Sequence, residues 1–316
     1  MYSPSSATAI ERVRDCPRRA GFAALGERGT LSPEMEAAAA LGTEGHEMAQ
    51  AYHEQGAIPD ERTYAGQLLR KALPLLPPPR VGKCEGSFAL TVSGLEYSGA
   101  IDLSCQASDL PGVRGLPGPV PAVVDYKFVR NLDRVPQGPG AHLTNVQSLV
   151  YAVKRLVQTG ASHVFLRWIG MRTKDSPKAI AGDALLVRGE VNEAFGRIVH
   201  PAAAALVQIK RVKPDPLTLP ANLSSCYRYG PKWPCPHVKA CGITAADLAF
   251  RKEETMEDTN TMLANLRASL EAKGVNPPAQ STPPAQSTPP VTDQDAQDLA
   301  LGRAVRVLMT AFKRAG

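Results

Sequence analysis

Asp125 and Lys127 stand two residues apart in the apolar run AVVDYKFVR, residues 122–130. Side chains alternate faces along a strand, so Asp125 and Lys127 share one face while Val124, Tyr126 and Phe128 share the other. A carboxylate and an ammonium in such a run need each other or a metal ion, because an unpaired buried charge is expensive. The same spacing also suits a plain ion pair on an edge strand. A second acid, Asp102, closes the alternating stretch YSGAIDLSC. If that strand lies beside 122–128, Asp102 comes close to Asp125. Two neighbouring carboxylates repel, and a divalent cation relieves the repulsion. His46, in GTEGHEM, is a candidate neutral ligand on a helix. Gln147 and Tyr151 are four residues apart in NVQSLVYAV and therefore share a helix face.

A second group of reactive side chains is sulfur. Cys226, Cys235 and Cys241 fall within the segment CYRYGPKWPCPHVKAC, separated by eight and then five residues, and Cys16 lies near the start in RDCPRR. A lone cysteine is commonly a small buried apolar residue. Three in a loop this polar fit a metal site better. A [4Fe-4S] cluster or zinc fits four cysteines, and zinc also fits three cysteines with His237. Cys84 and Cys105 lie in the strand region and are expected to serve packing.

The elements that must position these groups can be read from periodicity and punctuation. Ser5 and Ser6 cap a first helix running to about residue 22, a second helix spans about 33–55, and a third about 62–73. Residues 84–104 alternate as two antiparallel strands with a turn at Ser93-Gly94. A Pro/Gly loop precedes the strand at 122–129. A helix over about 142–158 ends at Gly160, strands follow at 163–172 and near 183–189, and a helix covers about 190–209. The expected fold class is α/β (α+β), one mixed central sheet flanked by helices. Residues 276–290, with PPAQST repeated, read as a semi-rigid linker. The expected organisation is a domain over 1–243, a polar helix over 244–273, a linker over 274–293 and an amphipathic helix over 294–316. That last helix suits docking on its own domain or contact with a partner or DNA.

The chain of 316 residues is 43% apolar, enough for a substantial core, and has no run of apolar residues long enough to span a membrane. Its first residues lack the apolar stretch of a secretory signal, so a cytoplasmic location with reduced thiols is expected. Lys plus Arg exceed Asp plus Glu by 36 to 30, a balance compatible with nucleic acid without requiring it. Basic residues recur along the chain, among them Lys154, Arg155, Arg167 and Arg172. Arg18 and Arg19 beside Cys16, with Arg228 and Lys232 inside the cysteine loop, are the candidate phosphate contacts. Tyr227, Tyr229 and Trp233 are interleaved with them and suit base stacking or shielding of a metal cluster.

The ordered set Gly-x-x-x-His, Gly-x-x-Asp (Gly99, Asp102), Asp-x-Lys and Gln-x-x-x-Tyr resembles the PD-(D/E)XK nuclease superfamily, in its RecB-like exonuclease branch. The resemblance covers about residues 3–243. It implies a restriction-endonuclease-like fold and Mg²⁺- or Mn²⁺-dependent hydrolysis of DNA phosphodiester bonds. His46, Asp102, Asp125 and the backbone carbonyl of Tyr126 become the metal ligands. Lys127 orients the water or stabilises the transition state, and Gln147 and Tyr151 contact DNA or steady the site. This branch often has Glu where Asp125 stands. The four cysteines resemble the iron–sulfur clasp of RecB-like nucleases, with Cys16, Cys226, Cys235 and Cys241 as ligands; the spacing departs from that of the CRISPR-adaptation members, whose first pair is closer. The implied role is DNA end processing or phage or mobile-element recombination. A CRISPR-adaptation nuclease and a non-catalytic cluster-bearing DNA-binding subunit are the alternatives. Sequence shows no P-loop, so a helicase or recombination partner would be a separate chain, and homo-oligomers are known among relatives.

Overall fold

A computed structural model of the chain describes residues 5–27, 29–84, 86–226, 235–243 and 268. Tyr227, Arg228, Tyr229, Lys232 and Trp233, the expected polar helix over 244–273 apart from residue 268, and the expected linker and C-terminal helix lie outside those residues.

The chain starts with a short strand β1 (Ser5–Ser6) and the helices α1 (Ala7–Asp15) and α2 (Pro17–Ala24). The single first helix expected from sequence is thus broken at Cys16, which is extended at φ −164° and is followed by Pro17 at the start of the next helix. Proline disfavours helical geometry in the residue before it, which accounts for the break. α3 (Pro33–Gln55) begins on Ser32, whose hydroxyl accepts from the Met35 N–H, and stops at Gly56. α4 (Tyr64–Ala72) packs against it.

β2 (Ser87–Val92) and β3 (Leu95–Ala100) form the expected hairpin. Ser93 and Gly94 both have positive φ, 49° and 76°, the geometry that a two-residue turn needs to follow the strand twist. Sequence reading carries this second strand on to residue 104. Instead the chain breaks at Ile101–Asp102 and continues as β4 (Leu103–Gln106) in another sheet. β5 (Pro121–Val129), α5 (Gly138–His142), α6 (Val146–Thr159), β6 (His163–Arg172) and β7 (Ala179–Val187) follow. Next come α7 (Arg188–Ala194), one π-helical turn at Phe195–Val199, and α8 (His200–Val212).

The fold is α/β, with two mixed sheets in place of the single expected one. One has the order β1-β3-β2 and the other β4-β5-β6-β7, in which only β5 and β6 run parallel. The four-stranded sheet is covered on both faces. On one face Val123, Val164 and Leu166 join a core built from α1, α6, α7 and α8 with Tyr97 of β3. On the other, Val124, Tyr126, Ile169 and Met171 pack with Leu68 and Leu69 of α4 and Ala49 of α3. Arg167 is buried on that second face. Its guanidinium forms a two-pronged pair with Asp183 and donates to the carbonyls of Leu75 and Pro111. It is thus a structural clamp, not a surface cation. Among the described residues, no helix is long and apolar enough to cross a membrane.

Candidate metal centre

β4 pairs with β5 only from Leu103 opposite Val124 to Gln106 opposite Pro121. The next residue back, Asp102, sits where the strand has ended, and its side chain takes over the ladder: Oδ2 accepts the backbone N–H of Tyr126 at 2.8 Å. The break between β3 and β4 therefore brings Asp102 alongside Asp125. Asp125 is 1% exposed, on the face of β5 that looks toward α6. Its Oδ1 accepts from the Gln147 amide at 3.0 Å, and its Oδ2 lies 2.7 Å from the Lys127 ammonium. Among the described residues, Oδ2 is engaged by the Lys127 ammonium alone. Burial pushes the Asp125 carboxyl up to about 6; Lys127 pulls it down and Asp102 raises it further.

Gln147 also donates to the Tyr151 hydroxyl at 2.7 Å, and Tyr151 in turn donates to the carbonyl of Ala100. α6 thus ties the Asp125 carboxylate to the residue that leads into the β3–β4 break. Its register is set at Asn145, whose side chain accepts from the Ser148 N–H. His46 comes from α3, with Nδ1 3.2 Å from Asp102 Oδ1. The hydrogen bond to Asp102 raises its pKa, against partial burial.

Gly45 lets α3 approach this closely: a Cβ there would overlap the Phe128 ring. Gly45→Ala is expected to push α3 off β5 and move His46 away from Asp102. The overpacking should lower stability by about 1–3 kcal/mol, read by urea unfolding.

Two positioning groups escape sequence reading. Trp168 is the neighbour of Asp125 across the β5–β6 ladder, and the Lys127 ammonium sits 4.9 Å from its ring centroid. The edge of Trp168 meets the fully buried His142 ring, with centroids 6.1 Å apart and planes at 87°. His142 Nε2 faces the Gly182 carbonyl at 3.2 Å, and Nδ1 faces the Ser148 hydroxyl at 3.0 Å. A carbonyl only accepts, so Nε2 carries the proton and Nδ1 accepts from Ser148. Strand alternation on β6, which puts Trp168 on the face of Val164 and Leu166, was the available signal for Trp168. His142 carried none. On the opposite face, His53 Nε2 meets the Tyr126 hydroxyl at 2.6 Å and fixes the strand from below.

Burial lowers the His142 pKa to about 4. The unfolded chain therefore takes up a proton as pH falls through about 6.5, while the folded chain does so only near 4. This contribution to stability is full above about 6.5 and lost as pH drops through 4, by roughly 3 kcal/mol at most. His142→Gln keeps an N–H for Gly182 and does not titrate. Urea unfolding between pH 7.5 and 4.5 should show wild type losing more stability than the variant, by an amount of that order.

The cysteine site draws together both ends of the described chain. Cys226 lies within electrostatic reach of Cys235, Cys16 and Cys241, and no disulfide forms among them. Cys235 N–H donates to the Cys226 carbonyl, and Cys241 N–H to that of His237. Burial pushes the Cys226 thiol up to about 12 and also raises Cys241. His237 is stacked on Phe22, with centroids 5.0 Å apart and planes at 5°. Arg18 hydrogen-bonds Cys241 and donates to the carbonyls of Leu217 and Leu219. It ties α2 to the segments around Leu217 and Cys241; Arg19 lies near Arg12 and His237. Cys105, on β4, is buried in the core, and Cys84 is half-buried against the same core.

Among the described residues, no three or more His, Cys, Asp or Glu side chains stand at metal-holding spacing. Lys127 pairs with Asp125, and His46 hydrogen-bonds Asp102. The donor chemistry nonetheless fits a hard divalent cation: two carboxylates, a strand-edge carbonyl at Tyr126, and an imidazole. Four thiolates are the donor set that an iron–sulfur cluster or a zinc ion takes; the described cysteines lie near one another but not at that spacing.

No family model matches the chain, and no curated protein matches it. Among solved structures, it is similar to a provisionally named exonuclease from Eubacterium rectale. The identity is 12% and the TM-score 0.43, over 71% of this chain and 85% of that one.

Proposed function

We propose that this protein hydrolyses phosphodiester bonds in nucleic acid with a divalent metal ion, and that it is a DNA exonuclease of the RecB-like kind. The observation that carries this reading is the Asp102–Asp125–Lys127 convergence. A fully buried carboxylate lies beside a second one, with an ammonium 2.7 Å from its Oδ2, where β4 leaves the edge of β5. An arrangement that holds two acids together against their repulsion and against desolvation is poor for stability alone.

His46, Asp102, Asp125 and the Tyr126 carbonyl would hold Mg²⁺ or Mn²⁺, with the imidazole favouring Mn²⁺. When bound, such an ion makes water more acidic and offsets charge on the phosphate. Gln147 keeps the Asp125 carboxylate oriented, and Tyr151 keeps the Asp102 segment in place. Lys127, resting on Trp168, can donate from its ammonium to a phosphate oxygen or to the attacking water.

The test is incubation of end-labelled single- and double-stranded linear DNA, and of closed circular DNA, with Mg²⁺ or Mn²⁺ and with chelator. Metal-dependent shortening of linear DNA with circles spared is expected. Cleavage of circles would replace the exonuclease reading with an endonuclease one, and no cleavage of any substrate would refute hydrolysis.

The same reading places a [4Fe-4S] cluster on Cys16, Cys226, Cys235 and Cys241, with zinc as the competing ion. Support comes from the proximity of Cys16, Cys235 and Cys241 to Cys226, with Arg12 and Arg18 nearby. Anaerobically purified protein should absorb visible light and contain iron and sulfide in equal amounts. Cys226→Ser should lose both and unfold at lower urea, since ligand binding is folding energy in such sites. Zinc without iron would decide for the competing ion.

A further inference from the structure

β4 covers β5 only to Val124. Beyond it, the Asp102 carboxylate accepts the Tyr126 N–H, and among the described residues no strand pairs with that edge of β5 up to its end at Val129. This uncovered edge starts at the metal site and leads to Arg130, about 13 Å from Tyr126 at about 3.3 Å per residue. α3 flanks it over a similar length. From His46 back to Ala37 is about 13–14 Å at 1.5 Å per residue, with Gly45 against Phe128 between.

At the far end lies a groove of about 300 Å³. One wall is Ala37, Ala38 and Leu41 of α3, and the other is Arg130, Thr173 and Lys174. The alanines are exposed and short, so a bulky backbone can lie close to the helix. Arg130 and Lys174 are exposed, and neither makes an ion pair with a described carboxylate. Arg172, Lys178 and Arg134 add positive charge to the same end of the sheet, against Asp133 and Asp175 in the turns. Glu34 and Glu36 in the first turn of α3 limit the basic stretch on the side away from His46.

We propose that a nucleic-acid strand reaches the metal site along the uncovered edge of β5, with its phosphates held by Arg130 and Lys174 in the groove against the alanine face of α3. The proposal rests on the nuclease reading and names its substrate path. The favoured occupant is a polyanion with regularly spaced charges, because the groove offers two exposed cations, unpaired among the described residues, and a hydroxyl, and few apolar groups large enough to anchor a peptide.

The experiment measures anisotropy of labelled single-stranded and duplex oligonucleotides of unrelated sequences, in chelator, across a salt series. Proteins compared are wild type, Arg130→Ala/Lys174→Ala and Arg114→Ala, with thermal melts to confirm folding. Arg114 is an exposed cation in the loop before β5, at the opposite end of that strand. The double variant should bind all sequences more weakly. The slope of log affinity against log salt should be shallower by about 1.4 for single strands and 1.8 for duplex, the loss of two phosphate contacts. Arg114→Ala should leave the slope near that of wild type. A folded double variant with an unchanged slope overturns the path, even if wild type cleaves DNA. A shallower slope in a protein that no metal activates supports the path and refutes the nuclease reading instead.

Discussion

Asp125→Asn is expected to abolish metal-dependent cleavage, with a loss of at least about 10²-fold, the size of removing one preorganised group that stabilises charge in the transition state. The substitution is nearly isosteric, and the Gln147 amide can still donate to Oδ1. What disappears is the negative charge facing Asp102, and with it much of the site's affinity for a divalent ion. Stability separates this from unfolding. Asp125 is buried with its pKa raised by desolvation, so removing its charge relieves one penalty. It also leaves Lys127, about a quarter exposed, without its partner 2.7 Å away. Removing one member of a buried pair is destabilising, whereas removing both can be neutral or better. Asp125→Asn/Lys127→Met should therefore unfold at higher urea than Asp125→Asn alone and remain inactive. Cleavage that persists in folded Asp125→Asn would show that the chemistry lies elsewhere in the chain.

Local signals carried much of the architecture. Ser32, Pro33 and Gly56 bracket α3 at the expected ends because capping and proline geometry act within a few residues. The Ser93-Gly94 turn and the β6 strand were legible for the same reason. The break at Ile101–Asp102 was not, since apolar alternation runs through it and nothing local says that residues 103–106 join another sheet. The consequence for the site is direct: a continuous strand would pair backbone with backbone at Tyr126, whereas the break lets the Asp102 carboxylate make that bond. Alternation alone put Asp125 and Lys127 on one face, and they are found there. Charge, by contrast, does not reveal its partner. Arg18 and Arg167 read as surface cations and are engaged by backbone carbonyls and Asp183 from segments distant in the chain. Burial of His53 and His142 is likewise a product of packing that no short window encodes.

Trp168 is expected to matter to both stability and rate, and the two effects can be separated. Its ring is 7% exposed, under Lys127 and against His142. Trp168→Ala should destabilise by about 3–5 kcal/mol through cavity formation, which hides any effect on catalysis. Phe and Leu are the informative replacements. Both shrink the side chain and should cost comparable stability, but only Phe keeps an aromatic face for the ammonium. A partly desolvated cation–π contact is worth about 0.5–2 kcal/mol. Trp168→Leu should then cleave DNA roughly 2- to 30-fold more slowly than Trp168→Phe at saturating substrate. KM should be similar in the two, since Trp168 acts through the aim of Lys127 and not through contact with DNA. If the two variants cleave at the same rate, Asp125 alone sets the position of Lys127 and the indole is core filling. If Leu raises KM while leaving kcat alone, Lys127 serves to bind the strand, and its contribution to the transition state is small.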